Sequence, residues 1–288
     1  MVQEEVLGLM YAVGALLSFS FSPILYKVGL KNELHVLEAN TLRAWGAFLL
    51  LTPIYVLHGF THIIPLELIV FLVISAISGP IVGDTFFLFS IRKVGASIAT
   101  PLANTYSLIV VVLSVILFSE KITLLNTLGG ALILSSIWLV YLERRSIKGD
   151  VVPGLFAGLG AASGYALSII SMNVLLNSKI DPVTIIYFRI ILVGILLTLI
   201  VRTLNFSFRT VSRRTLLALS VGGFFGVGFG VILLLTAITY LGAGKASLIA
   251  SAAPVITSTI AMALLKEKFR AKVIIAAILV SIGAIMLK

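Results

Sequence analysis

The chain has 288 residues, 60% of them hydrophobic and only 11% charged, against about 25% charged in an ordinary soluble domain. A soluble fold of that makeup would leave apolar surface in water, and the absence of cysteine excludes a disulfide framework, a thiolate metal centre and a cysteine nucleophile. The net charge of +10 does not argue for nucleic acid, because the basic residues fall in short clusters between long apolar runs.

A helix crosses the ~30 Å hydrocarbon core with about 20 apolar residues. In chain order, runs free of Asp, Glu, Lys and Arg cover 6–26, 44–66, 94–119, 122–142, 151–178, 215–244 and 246–265. Four more are short or carry one or two ionisable residues: 38–57 with Glu38 at its start and Arg43, overlapping the second run, 68–91 with Asp84, 182–201 with Arg189, and 273–287. Merging the overlap predicts ten helices. The first run follows Glu4 and Glu5 with no Lys or Arg ahead of it, which fits a first span better than a signal peptide. Segments 149–153, 177–182 and 242–244 read as turns and 202–214 as a longer loop; no appended soluble domain is expected.

Residues 95–121, GASIATPLANTYSLIVVVLSVILFSEK, lie without a gap on 242–268, GAGKASLIASAAPVITSTIAMALLKEK. Upstream, Arg43 matches Arg189 and Phe19 matches Tyr165. The chain reads as two copies of a five-helix unit, 1–145 and 151–288. An odd number of helices per copy makes the second copy enter the membrane from the opposite side. Inverted repeats with a binding site at their interface typify secondary transporters; duplication for stability alone is the competing account.

With these residues the chain resembles the EamA group of the drug/metabolite transporter superfamily. The resemblance rests on Phe19-Ser20 and Tyr165-Ala166 in the first helix of each unit, Arg43 and Arg189 in the second, a small-rich fourth helix, and its closing Glu120-Lys121 and Glu267-Lys268. Pro254 fits the family pattern, whereas its counterpart Ser107 departs from it. The resemblance implies ten helices around a central cavity, the first four of each unit lining it and the fifth peripheral. It implies transport of amino acids, other small metabolites, nucleotide sugars or drugs.

Polar residues inside the spans are the candidate site. Thr100, Asn104, Ser107 and Ser114 share one face of the fourth helix, and Ser251 stands where Asn104 does in the repeat. They offer either a cavity wall or a packing seam. Asp84 is the acidic residue placed deep in a span; such a carboxylate costs about 3 kcal/mol or more unless paired, protonated or hydrated. It reads as a proton-coupling group, an anchor for a substrate amine, or the partner of Arg43, Lys27 or another helix. Arg43 and Arg189 read as gating or structural charges, close enough to helix starts to snorkel, though an Arg fork also suits a substrate carboxylate or phosphate. Lys245 reads as a headgroup contact, with an anion site as the alternative. The glycines of 222–230 lack the strand and downstream acid of a nucleotide fingerprint, and read as small-xxx-small helix contacts.

Fifteen Lys and Arg lie on the face holding the connections after the odd-numbered helices and four on the face with the termini. The positive-inside rule therefore puts both termini outside; the family resemblance puts them in the cytoplasm. The resulting expectation is a multi-pass protein of the cytoplasmic membrane, a secondary transporter of a small polar or amphipathic metabolite, with amino acid export as the leading example. Its cavity would include Phe19, Asp84, Asn104, Ser107, Tyr165 and Ser251. No cofactor, metal or nucleic acid is expected; coupling to a proton or other ion and a homodimer stay open. A passive channel and a membrane-embedded enzyme are the alternatives. The enzyme would need clustered His or carboxylates, and His35, His58 and His62 fall at or between helix ends.

Overall fold

A computed structural model describes residues 2–30, 34–59, 64–106, 108–109, 124–143, 151–205, 211–250, 253–265 and 271–286. All regular structure among them is helical. The helices are α1 (Val2–Gly29), α2 (Val36–His58), α3 (Leu66–Val94), α4 (Ala96–Ala103), α5 (Leu124–Glu143), α6 (Val152–Asn177), α7 (Pro182–Thr203), α8 (Arg213–Ala250), α9 (Ala253–Leu264) and α10 (Ala271–Met286). Glu4–Gly29, α3, α6, α7 and Arg213–Leu241 of α8 are long and apolar enough to cross a membrane, while Thr127–Ser136, α9 and Ala271–Gly283 are shorter apolar helices.

Helix starts follow local chemistry. His35 begins α2 with a capping box: its imidazole accepts from the Leu37 N–H at 3.3 Å, and its own N–H donates to Glu38 at 2.7 Å. Asp181 caps α7 by accepting from Thr184 N at 2.9 Å, with Pro182 at the first helical position. Gly95 separates α3 from α4 at φ 90°, a backbone state that glycine adopts without strain. Its repeat counterpart behaves differently. The backbone stays helical from Gly230 to Ala250, straight through the 242–244 turn expected from sequence. Glycine permits a turn without forcing one, and in lipid an unbroken ladder keeps each backbone group satisfied.

The packing crosses between the two halves: α1 packs on α8 and α6 on α3, first helix on third in each case, while α2 packs on α7, α4 on α9 and α5 on α10. Along α2 and α7 the Trp45 indole N–H donates to Thr198 Oγ1 at 2.9 Å, the Tyr55 and Tyr187 rings stack at 3.9 Å, and His58 meets Asp181 at 3.2 Å. Close approach is built on glycine. A Cβ on Gly164 would run into the Ser78 carbonyl and the Gly83 backbone, and one on Gly223 into the Arg43 carbonyl.

The exterior is apolar, with Met10, Leu49, Leu57 and Phe156 among the most exposed side chains, whereas Ser20, Asn40, Arg43, Ser75 and Asp84 are buried. That distribution suits a lipid solvent, in which helices associate through small residues and interhelical hydrogen bonds.

Both α3 and α8 change pitch midway, through π-helical segments at Ile77–Gly83 and Phe224–Phe229. Such segments recur at functional sites because they redirect the following side chains. Gly83 closes the first and carries the Tyr165 ring; Gly230 follows the second and carries the Phe19 ring, each 3.0 Å from where a Cβ would stand. The aromatic residues matched in sequence therefore each rest on a glycine of the other half.

Candidate solute site

A cavity of about 160 Å³ opens where these segments meet. Its wall takes Phe19, Ser22 and Tyr26 from α1, Gly79, Asp84 and Phe87 from α3, and Thr100 from α4, with Asn104 and Tyr106 just beyond. From the second half come Tyr165, Ser168 and Met172 of α6, Arg189 of α7, and Gly226, Val227, Val231 and Leu234 of α8. Among the described residues α5 and α10 supply none of the lining. The expected role of the second helix is modified: Arg43 on α2 is absent from the wall and reaches it through Asp84.

Asp84 is the centre of a charge network. It opens the α-helical half of α3 right after Gly83, so the pitch change aims its side chain. Arg43 Nη2 donates to Asp84 Oδ2 at 2.5 Å and to Asn40 Oδ1 at 2.7 Å. The Tyr165 hydroxyl donates to Asp84 Oδ1 at 2.5 Å, binding the two halves together through the acid. Asn40 is held in turn by donating to the Pro80 carbonyl at 2.8 Å and Thr85 Oγ1 at 2.9 Å; the carbonyl belongs to the pitch change itself. The Tyr26 ring lies 5.0 Å from the Arg43 guanidinium carbon. Of the accounts considered for Asp84, the pairing with Arg43 is the one present, and the carboxylate still faces the cavity.

The second arginine is placed alike and partnered differently. Arg189 donates to Ser168 Oγ at 2.9 Å, to the Ser75 carbonyl at 3.5 Å and to Met172 Sδ at 3.2 Å. Among the described residues no carboxylate lies within ion-pair distance of it. Both arginines are buried, Arg43 at 0% and Arg189 at 5% exposure. Snorkelling is thereby corrected: the interior supplies Asp84, hydroxyls and a carbonyl as partners, so neither side chain needs the interface.

The polar face of the fourth helix splits by depth. Thr100 and Asn104 line the cavity. Ser258 instead donates to the Ser97 carbonyl at 2.9 Å and Thr257 to the Ser20 carbonyl at 3.0 Å, which makes them seams between helices. Ser107, Ser114 and Ser251 lie outside the described residues, as does the side chain of Lys245. Phe224 stacks on Phe229 at 5.3 Å, and neither is among the lining. Gly222 and Gly226 seat Tyr26 of α1, and Gly230 seats Ser18 and Phe19, as the small-xxx-small reading expects.

Sequence reasoning missed Ser22, Ser168, Tyr26 and Asn40. A signal existed for three of them. Ser22 and Ser168 match under the repeat register that pairs Phe19 with Tyr165, and Asn40 stands three residues before Arg43, on the same helix face.

No group of three or more His, Cys, Asp or Glu among the described residues could hold a metal ion. A buried charge network bordering a small, mostly apolar cavity, inside an apolar helical shell, fits a multi-pass membrane protein. The chain matches the EamA-like transporter family twice, over residues 6–142 and 152–288. It is 28% identical over 282 residues to a protein of Archaeoglobus fulgidus described as an uncharacterized transporter, covering 98% of this chain and 97% of that one. A solved protein crystal structure shares the fold with TM-score 0.69 at 17% identity, covering 97% of both chains. The chain belongs to the EamA-like transporter family, within the drug/metabolite transporter superfamily, and is a transporter rather than an enzyme. Its working environment is the lipid bilayer and its cargo a small-molecule solute.

Proposed function

We propose that this transporter works by alternating access, carrying a small polar or amphipathic metabolite across the cytoplasmic membrane, with amino acid export as the first case to test. In this reading the chain spans the membrane ten times as two inverted units, 1–145 and 151–288. The observation that carries it is the cavity wall: side chains from both halves converge there, and Tyr165 of one half binds Asp84 of the other. Rocking of one half against the other would break and remake that contact while the solute stays near the interface. The crossed seating of Phe19 on Gly230 and Tyr165 on Gly83 supports an exchange of equivalent roles between the halves. Ser107 and Ser251 are assigned to the same wall by their register with Asn104. Asp84, held by an arginine and a tyrosine, is the group through which a coupled proton would act.

Purified protein reconstituted in vesicles tests this by counterflow: vesicles loaded with unlabelled amino acid should accumulate the labelled compound transiently and saturably. Flux that rises linearly with concentration would identify a channel. Failure of counterflow across amino acid, nucleotide and drug panels would remove the transporter mechanism proposed.

A further inference from the structure

The geometry points to a carboxylate on the transported solute, bound by Arg189 with the solute's apolar body against Met172 and Val231. This deepens the transporter reading of the same cavity and rests on it. Arg43 and Arg189 correspond in the repeat register, yet among the described residues only Arg43 has a carboxylate within ion-pair distance. Asp84 follows Gly83 in α3, whereas the residue following Gly230 in α8 is Val231, and Val231 also lines the cavity. In the repeat register the second half thus carries an apolar residue at the position from which the first half neutralises its arginine. Among the described residues the site holds two guanidinium groups against one carboxylate. A buried charge without a counter-charge is costly, so an anionic ligand binds there with a large electrostatic advantage.

Three polar atoms of wall residues point the same way. Arg189 Nε, Thr100 Oγ1 and the Tyr26 hydroxyl are buried without a hydrogen-bond partner; the first can only donate and the other two can donate, which asks for an acceptor-rich group. The excess of one positive charge matches a monocarboxylate better than a phosphate monoester, which carries about −1.5 to −2 at neutral pH.

Detergent-purified protein should be titrated with benzoate against benzamide, 4-methylpentanoate against 4-methylpentanamide, and phenyl phosphate, reading binding by thermal shift and folding by size exclusion. The expected result is saturable stabilisation by the acids, at least tenfold tighter than by amides of the same shape. Arg189→Gln should abolish it and Arg189→Lys keep part of it. Val231→Asp, which supplies the missing acid from within, should abolish acid binding in a folded protein, so the proposal stays testable even if Arg189→Gln does not fold. Amides binding as well as acids, acids binding Arg189→Gln or Val231→Asp unchanged, preference for phenyl phosphate, or no acid binding at all would each overturn it. Saturable counterflow of neutral or cationic solutes alone would overturn this inference and leave the transporter reading standing; acid binding without any counterflow would do the reverse.

Discussion

Asp84 and Arg43 show what a single pair does in a low-dielectric interior. The 2.5 Å contact between them is buried from both sides, so removing one partner strands the other. Asp84→Asn should cost about 3–5 kcal/mol, seen as a lower midpoint of thermal unfolding in detergent. The double variant Arg43→Gln/Asp84→Asn should recover much of the loss, because no uncompensated charge remains. Tyr165→Phe removes one hydroxyl bond to the carboxylate and should cost about 2 kcal/mol. In a double-mutant cycle with Asp84→Asn that cost should shrink, since the two residues act as one unit; full additivity would show that the hydroxyl contributes elsewhere.

Helices are joined here by what their neighbours leave out. Gly164 lets α6 touch the backbone of α3 at the Ser78 carbonyl, the start of the contact surface that also carries Tyr165 over Gly83. Gly164→Val should separate these helices and cost at least the 1–3 kcal/mol of an overpacked core, with reduced monodisperse yield on size exclusion. Gly59 provides the contrast. It has nothing within 4 Å of a Cβ but sits at φ 78°, so Gly59→Ala should cost only about 1 kcal/mol of backbone strain and leave yield unchanged. The two π-helical segments extend the same logic: each ends where a glycine seats an aromatic ring, and in α3 the turn also presents the Pro80 carbonyl to Asn40.

Across the whole molecule, charge on the outer surface and charge in the interior carry different information. The Lys and Arg bias among connections predicts that segment 144–150 is cytoplasmic. Because the chain lacks cysteine, Ser146→Cys gives a single reactive thiol, and a membrane-impermeant maleimide should label it only after the cells are opened. Labelling of intact cells would support instead the orientation that the family resemblance implies. The interior charges border the cavity: the Tyr165 to Asp84 bond joins the halves across it, and Arg189 lines its wall.

Much of this protein is written in its sequence. Long apolar runs establish helices in lipid because an unpaired backbone group there is prohibitive, and the matched segments reveal the duplication. Single residues such as Asp84, Arg43 and Arg189 stand out because ionisable groups are rare in such runs. The sequence alone left Asp84 with several partners and both arginines within reach of an interface. Only the tertiary structure chose among them, because pairing depends on which helices are brought within a few ångströms of each other. It turned Tyr165 from an aromatic match into a hydroxyl bonded to the other half's acid, and extended α8 through a glycine turn signal. It also separated two arginines alike in sequence into one paired with Asp84 and one, Arg189, with no carboxylate within ion-pair distance among the described residues.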